Sequence, residues 1–538
     1  MSFRAVAAGA LAAIAAAGLA CAEAQTPAPA QSHSAALACE QLASAALPNA
    51  RITLAQARPA GAFQIPGAGS GFGPSSMTLP AFCRVAATLT PTPDSEIRME
   101  LWLPANWNGK FMMVGNGAWS GAVSYAAMAE PLGRGYAVAS TDTGHEGGRG
   151  TFGFGHPEKL IDFAWRAVHE TTVAGKSLTT AYYGSRPRLS YWDGCSSGGK
   201  QGLKEVQMFP ADYDGVIAGA PANNWMRLQV QSMVSSLANN PRDAKPILGP
   251  AQIALLHQGA LDQCDGLDGL KNGEIADPRA CRFQPSTLIC KEGQDASGCL
   301  TPEQAKVAEV IYAPVRDPAT GALIYPGLEP GSEGQWPIVI LTPWTIGTDN
   351  FGLAHGDPDW DAHSFDPVKD LALAETWDPG IAATDPDLSA FKARGGKLIQ
   401  YHGWADALIA PENSVNYYES VIASQGGPER TRDFYRLFLV PGMGHCGGAY
   451  DVDWITPLEQ WVEGGHAPDE LMAKRLPPAR FGPPGPGPAV TVAAADLGAR
   501  PICAYPNEGV YKGVGAAGDP AAFACRIAPR GARPADRP

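Results

Sequence analysis

The chain has 538 residues, 45% of them hydrophobic and 17% charged, the composition of a folded globular protein with one large core or two smaller ones. Its formal net charge of -13 argues against a polyanionic partner such as nucleic acid, because phosphate binding needs clustered Lys and Arg. Beyond the N-terminal leader no run is long and apolar enough to suggest a membrane span.

The leader carries Arg4, then an Ala/Leu/Ile run from Ala5 to Ala20, then Ala22-Glu23-Ala24. That order reads as a secretory signal peptide, residues 1–24, cleaved after Ala24. The run falls short of the roughly 20 apolar residues that cross a bilayer. A lipid anchor on Cys21 is the second reading, weakened by Gly18 where a larger apolar residue is usual. The protein is expected to be exported, to the periplasm or outside the cell. Without Cys21, ten of the 11 cysteines remain, and an even number in an oxidising compartment predicts five disulfides. Cys264 with Cys281, Cys290 with Cys299 and Cys503 with Cys525 could each close a short loop, but spacing leaves the connectivity open.

Short apolar runs that end in Gly-rich turns predict strands at Ile97–Leu103, Phe111–Val114, Tyr136–Ser140, Leu189–Trp192, Gly215–Ala218, Leu398–Tyr401 and Tyr435–Val440. Segments such as Asp162–Tyr183, closed by Gly184, and Ser414–Ser424 predict helices between them. This alternation describes an α/β fold with a mostly parallel sheet, built from residues 25–223 and 386–475. The pattern lapses over 224–385, where Pro, Gly, Asp and four Cys break up sequence rich in Trp and Phe. An irregular insertion capping the carboxyl edge of the sheet is expected there. Residues 476–490 read as a Pro/Gly linker, 491–525 as a disulfide-stapled segment, and 526–538 as a disordered Arg/Pro tail.

Gly194-Cys195-Ser196-Ser197-Gly198 lies between the strand Leu189–Trp192 and a helical run through Met208. A nucleophile elbow needs this context: small residues two before and two after the serine permit a sharp turn, and the following helix aims its positive end at it. Ser196 is therefore the candidate nucleophile of an α/β-hydrolase fold with a large inserted lid. His445 follows the strand Tyr435–Val440 and Asp406 follows Leu398–Tyr401, so the chain order Ser, Asp, His is that of this fold. His445 is expected to be the base and Asp406 its orienting acid. Cys195 precedes the nucleophile and Cys446 follows the base. If Ser196 and His445 meet at about 3 Å, their neighbours fall within the roughly 4.4–6.8 Å Cα window of a disulfide. The N–H of Ser197 is the expected first oxyanion donor, and Gly117, in Gly115-Asn116-Gly117 after an earlier strand, the second.

Between Cys264 and Cys281, Asp265, Asp268, Leu270, Asn272 and Glu274 punctuate a Gly-rich stretch. Such a stretch concentrates the oxygen ligands that calcium takes, although a succession of Asp-Gly turns explains the composition equally well. Leu270 rules out an EF-hand.

Taken together, from Cys39 to Cys525, these residues resemble the tannase and feruloyl esterase family, which includes the mono(2-hydroxyethyl) terephthalate hydrolases. The paired Cys195-Ser196, Asp406 and His445-Cys446 carry the resemblance most specifically. It implies bridges Cys195–Cys446, Cys39–Cys83, Cys264–Cys281, Cys290–Cys299 and Cys503–Cys525. It also implies structural calcium, held by the side chains of Asp265, Asp268 and Asn272 and the carbonyls of Leu270 and Glu274. Asn272 departs from the family's Asp and removes one negative charge. His402 matches a histidine that lines the family's substrate pocket, while Trp336, Trp344, Phe351, Trp360 and Phe365 are lid aromatics without an assigned contact. The expected activity is hydrolysis of a small aromatic-acid ester through an acyl-enzyme, the acid being a hydroxycinnamate, a gallate or a terephthalate half-ester. Such chemistry calls for no organic cofactor. The competing readings are a catalytically inert, calcium-stabilised protein that binds aromatic ligands, and a serine peptidase on the same fold.

Overall fold

The computed structural model describes residues 37–66, 75–477 and 498–527. The expected signal peptide with Cys21, all but the first two residues of the linker, and the tail beyond Ile527 lie outside the described residues.

A nine-stranded sheet forms the centre. Its strands are β1 (Ala50–Arg58), β2 (Phe82–Leu89), β3 (Ile97–Pro104), β4 (Lys110–Val114), β5 (Ala137–Thr141), β6 (Leu189–Cys195), β7 (Gly215–Gly219), β8 (Lys397–Gly403) and β9 (Tyr435–Val440). They lie in the order β1-β2-β3-β5-β4-β6-β7-β8-β9. From β5 to β9 all pairings are parallel, and β1, β2 and β3 continue the sheet antiparallel. This is the α/β-hydrolase class of fold that the sequence predicts. All seven expected strands are present within a few residues of their expected ends. β1 and β2 were not anticipated. β1 alternates only between exposed and half-buried positions, so its sequence carries little apolar signal.

The parallel strands are buried on both faces, every residue of β7 being buried. Helix α1 (Ala167–Tyr183) buries Val168, Thr171, Gly175 and Leu178, one stripe at helical spacing, and stops at Gly184, whose φ of 70° suits glycine. Phe111 of β4 packs where a side chain on Gly175 would stand, at 2.9 Å from that position. Helix α2 (Ser197–Met208) follows β6 directly and is buried along nearly its whole length.

Between β7 and β8 the chain makes no strand of the central sheet. This insertion is more regular than the expected irregular segment. It holds helices Trp225–Asn239, Pro250–Cys264, Pro302–Tyr312, Thr345–His355 and Lys369–Trp377, and Met233, Leu256, Ile311, Trp336 and Phe351 pack in one core cluster. The signals are local: Thr301 caps Pro302–Tyr312 through a reciprocal bond pair with Gln304, and Ala305, Ala308 and Ile311 repeat at helical spacing.

The C-terminal segment is paired as well as stapled. Ala499–Cys503 joins Glu470–Arg475 in a small antiparallel sheet, and Ala504 bridges to Phe438 of β9. Arg526, expected to open the tail, instead pairs with Glu508. All five disulfides have the implied partners: Cys39–Cys83, Cys195–Cys446, Cys264–Cys281, Cys290–Cys299 and Cys503–Cys525.

Candidate active site

Ser196 sits between β6 and α2 with φ 65° and ψ -123°, a conformation that costs a non-glycine residue about 1–3 kcal/mol and is held only where the surroundings dictate it. The flanking glycines explain how. A side-chain carbon on Gly194 would fall 2.7 Å from the backbone of Gly198, and one on Gly198 would fall 3.1 Å from the carbonyl oxygen of Asn116. The turn, α2 and the loop after β4 therefore touch backbone to backbone.

The loops after β8 and β9 are laced together. Trp404 N–H donates to the carbonyl of Val440 and Ala405 N–H to that of Met443, each at 2.9 Å. This brings Asp406 to His445. His445 Nδ1 is 2.8 Å from Asp406 Oδ2, and His445 Nε2 is 2.9 Å from Ser196 Oγ. Since Nδ1 faces a carboxylate it carries the ring hydrogen, which leaves the Nε2 lone pair for the Ser196 hydroxyl. The bridge Cys195–Cys446, with Cα atoms 5.8 Å apart, ties the Ser196 turn to the His445 loop beside this contact.

Asp406 is fully buried. Oδ1 accepts the N–H groups of Leu408 and Ile409 at 2.8 and 3.0 Å, and Oδ2 accepts from His445 and His402. Burial alone would raise its pKa, but the charge of His445 with the hydrogen bonds from His402 and His445 holds it well below the usual carboxylate range. The carboxylate therefore stays ionised and fixed.

His402 is placed differently from the expectation that it lines a substrate pocket. It has no exposed surface. Its Nε2 faces two acceptors, Asp406 Oδ2 at 3.1 Å and the Ile409 carbonyl at 3.0 Å, and so carries the hydrogen, while Nδ1 accepts from Ser414 Oγ at 2.7 Å. Both nitrogens are occupied, and His402 buttresses Asp406. Of the expected lid aromatics, Trp336 and Phe351 are fully buried. Trp344 donates to Gln229, and Trp360 and Phe365 pack on Phe351.

Gln335, from the insertion, has no motif that would mark it. Its Oε1 accepts the N–H of His445 at 2.9 Å and that of Ala407 at 3.4 Å, so one buried side chain braces the loops after β8 and β9. Ser197, expected as an oxyanion donor, places its hydroxyl on the Ala118 carbonyl at 2.9 Å, which draws the Gly117 loop to the start of α2. A side-chain carbon on the exposed Gly117 would meet no atom within 4 Å, so the backbone there is open to approach.

In the acidic loop, Asp265 accepts the N–H groups of Asn272 and Gly273, each at 3.0 Å, and Asp268 accepts that of Leu270 at 2.9 Å. Burial raises the pKa of Asp268, against the pull of the Leu270 N–H and Arg500. The Glu274 carboxylate is taken by Arg500 at 2.8 Å and Tyr450 at 2.6 Å. Asn272 donates its Nδ2 to Glu274 at 3.1 Å, which fixes the amide's orientation, and its buried Oδ1 has no hydrogen-bond partner among the described residues. A buried orphaned oxygen on a residue whose N–H is bonded to Asp265 fits a hard cation.

Residues 83–526 match the family described as tannase and feruloyl esterase. A protein of Aspergillus terreus named "Probable feruloyl esterase B-2" is 37% identical over 505 residues, 89% of this chain and 93% of that one. An uncharacterized esterase of Xanthomonas campestris is 35% identical over 556 residues, 93% of each chain. The crystal structure of feruloyl esterase B from Aspergillus oryzae superposes with a TM-score of 0.83 at 32% identity, covering 91% of this chain and 100% of that one. Tannin acyl hydrolase from Aspergillus niger, at 23% identity and a TM-score of 0.70 over 90% of this chain and 92% of that one, shares the fold. The chain belongs to the tannase and feruloyl esterase family of carboxylic ester hydrolases.

Proposed function

We propose that the protein hydrolyses esters of aromatic acids by a serine mechanism through an acyl-enzyme. The observation that carries this reading is His445, which holds Asp406 on one ring nitrogen and Ser196 on the other. His445 takes the hydroxyl proton as Ser196 Oγ attacks the ester carbonyl, and returns it to the leaving alcohol as the tetrahedral species collapses. The ionised Asp406 keeps the imidazole tautomer and stabilises the imidazolium. The N–H groups of Gly117 and Ser197 receive the oxyanion, a role supported by the open backbone at Gly117 and its attachment to the start of α2. Water repeats the sequence to release the acid.

The insertion serves as the lid over the strand carboxyl ends, as its Gln335 contact with His445 supports. The acid is a hydroxycinnamate, a gallate or a terephthalate half-ester. Asp265, Asp268 and Asn272, with the carbonyls of Leu270 and Glu274, hold calcium, which supplies stability to the loop. The five disulfides support export to an oxidising compartment, and among the described residues no helix is long and apolar enough to cross a membrane.

Ser196→Ala tests the mechanism. Esterase turnover on methyl ferulate, methyl gallate and a terephthalate half-ester should fall by about three orders of magnitude or more in a folded variant. Near-normal turnover would remove Ser196 from the reaction, and the same panel on the wild type ranks the three acids.

A further inference from the structure

We infer that the protein carries a second cation site, separate from the Asp265–Glu274 loop, in which His169, Glu205 and Asp212 chelate one divalent transition-metal ion such as zinc. One candidate ligand atom from each residue lies within 4.8 Å of the others. His169 belongs to α1, Glu205 to the last turn of α2, and Asp212 to the connection into β7. Three elements adjacent only in the folded molecule thus converge on one point.

Glu205 sets this cluster apart from ordinary polar surface. It is 1% exposed, and among the described residues no N–H or O–H donor reaches either carboxylate oxygen, whose polar neighbour is the Asp212 carboxylate. Burying such a group without a donor or a cation is costly. The nearby ammonium of Lys176 donates to the backbone carbonyl of Asp212 and to neither oxygen of Glu205. Two carboxylates so placed must share either a proton or a positive ion.

The remaining geometry favours an ion. His169 Nδ1 is 2.7 Å from Asp212 Oδ2, and its ring is stacked on Phe209 with centroids 3.9 Å apart, so the imidazole is already oriented. One imidazole with two carboxylates is a ligand set that zinc accepts. The His169 and Asp212 side chains are 26% and 14% exposed, which gives an ion a way in while Glu205 forms the floor. The carboxyl end of α2 adds its negative dipole. Glu205 lies nine residues after Ser196 on that helix, about 13 Å along its axis, so the ion would anchor the helix that carries Ser196 and take no part in the chemistry.

The test uses untagged full-length protein, stripped with chelator, resaturated with calcium and titrated with zinc chloride by calorimetry. One zinc per chain should bind and raise the melting temperature. Glu205→Gln should weaken that binding by more than about tenfold, whereas Asp268→Asn, in the other loop, should not. If Glu205→Gln does not fold, His169→Gln at the accessible edge gives the same reading. Absence of zinc binding, or binding that neither variant changes, would mean that Glu205 and Asp212 hold a proton and would overturn the proposal. None of these outcomes bears on the Ser196 reading, because turnover is scored separately.

Discussion

Cys195 and Cys446 are joined across 251 residues of sequence, and each is the immediate neighbour of one member of the hydrogen-bonded pair Ser196 and His445. The bridge thus joins the turn that carries Ser196 to the loop that carries His445. Closing a loop of that length is worth about 5 kcal/mol in the chain-entropy account.

Replacing Cys195 and Cys446 together by Ala should lower esterase activity by up to about 100-fold, beyond what lost stability explains, because an error of about 1 Å between reacting groups has that cost. Turnover measured well below the variant's own melting temperature separates the two effects. Full activity in the folded variant would show that the loops hold their register without the bridge.

Gln335→Ala should leave the N–H groups of His445 and Ala407 without their acceptor. Each buried orphan costs about 1–3 kcal/mol, and kcat should fall by about 10-fold to 100-fold as the loops carrying Asp406 and His445 lose their common brace. Gln335→Glu keeps an oxygen at the same place and should restore most of kcat. An Ala variant with unchanged kcat would reduce Gln335 to packing.

Chelation should lower the melting temperature, and added calcium should restore it, because an ion held by the proposed Asp265–Glu274 site binds the folded loop and not the unfolded chain. Below the melting point, turnover should be unaffected. A melting temperature indifferent to chelator and to calcium would leave the loop a run of Asp-Gly turns.

Lys200 lies one turn beyond Ser196, fully buried, its amine without a hydrogen-bond partner among the described residues and 4.5 Å from the ring centre of Phe163. Burial lowers its pKa from 10.5 to about 7. Between those values the unfolded chain binds a proton that the folded chain does not, so the lysine's penalty to stability is full below about pH 7 and fades as pH rises through that window. Lys200→Met should therefore stabilise the protein by about 3 kcal/mol near pH 8, and by less near pH 10. Urea denaturation at the two pH values checks both sign and trend. A gain that does not shrink with rising pH would be packing alone.

The elbow at Ser196, the strands on either side of the parallel sheet's centre and the order Ser196, Asp406, His445 were legible in the sequence because each depends on a few consecutive residues. Glycines at 194 and 198 permit one turn whatever the rest of the chain does, and a short apolar run ending in glycine marks a buried strand. The cysteines flanking Ser196 and His445 carried long-range information, since two thiols that must pair report on a distance. Elsewhere the decision was tertiary. His402 is four residues from Asp406, a spacing that says nothing about ring direction, and the packing of Ser414 and Ile409 turned it away from any ligand. Gln335 reaches His445 across 110 residues, and Glu205 comes near His169 and Asp212 only through the tertiary fold. No local pattern encodes such contacts, since the free energy that selects them comes from burial and polar satisfaction over the whole core.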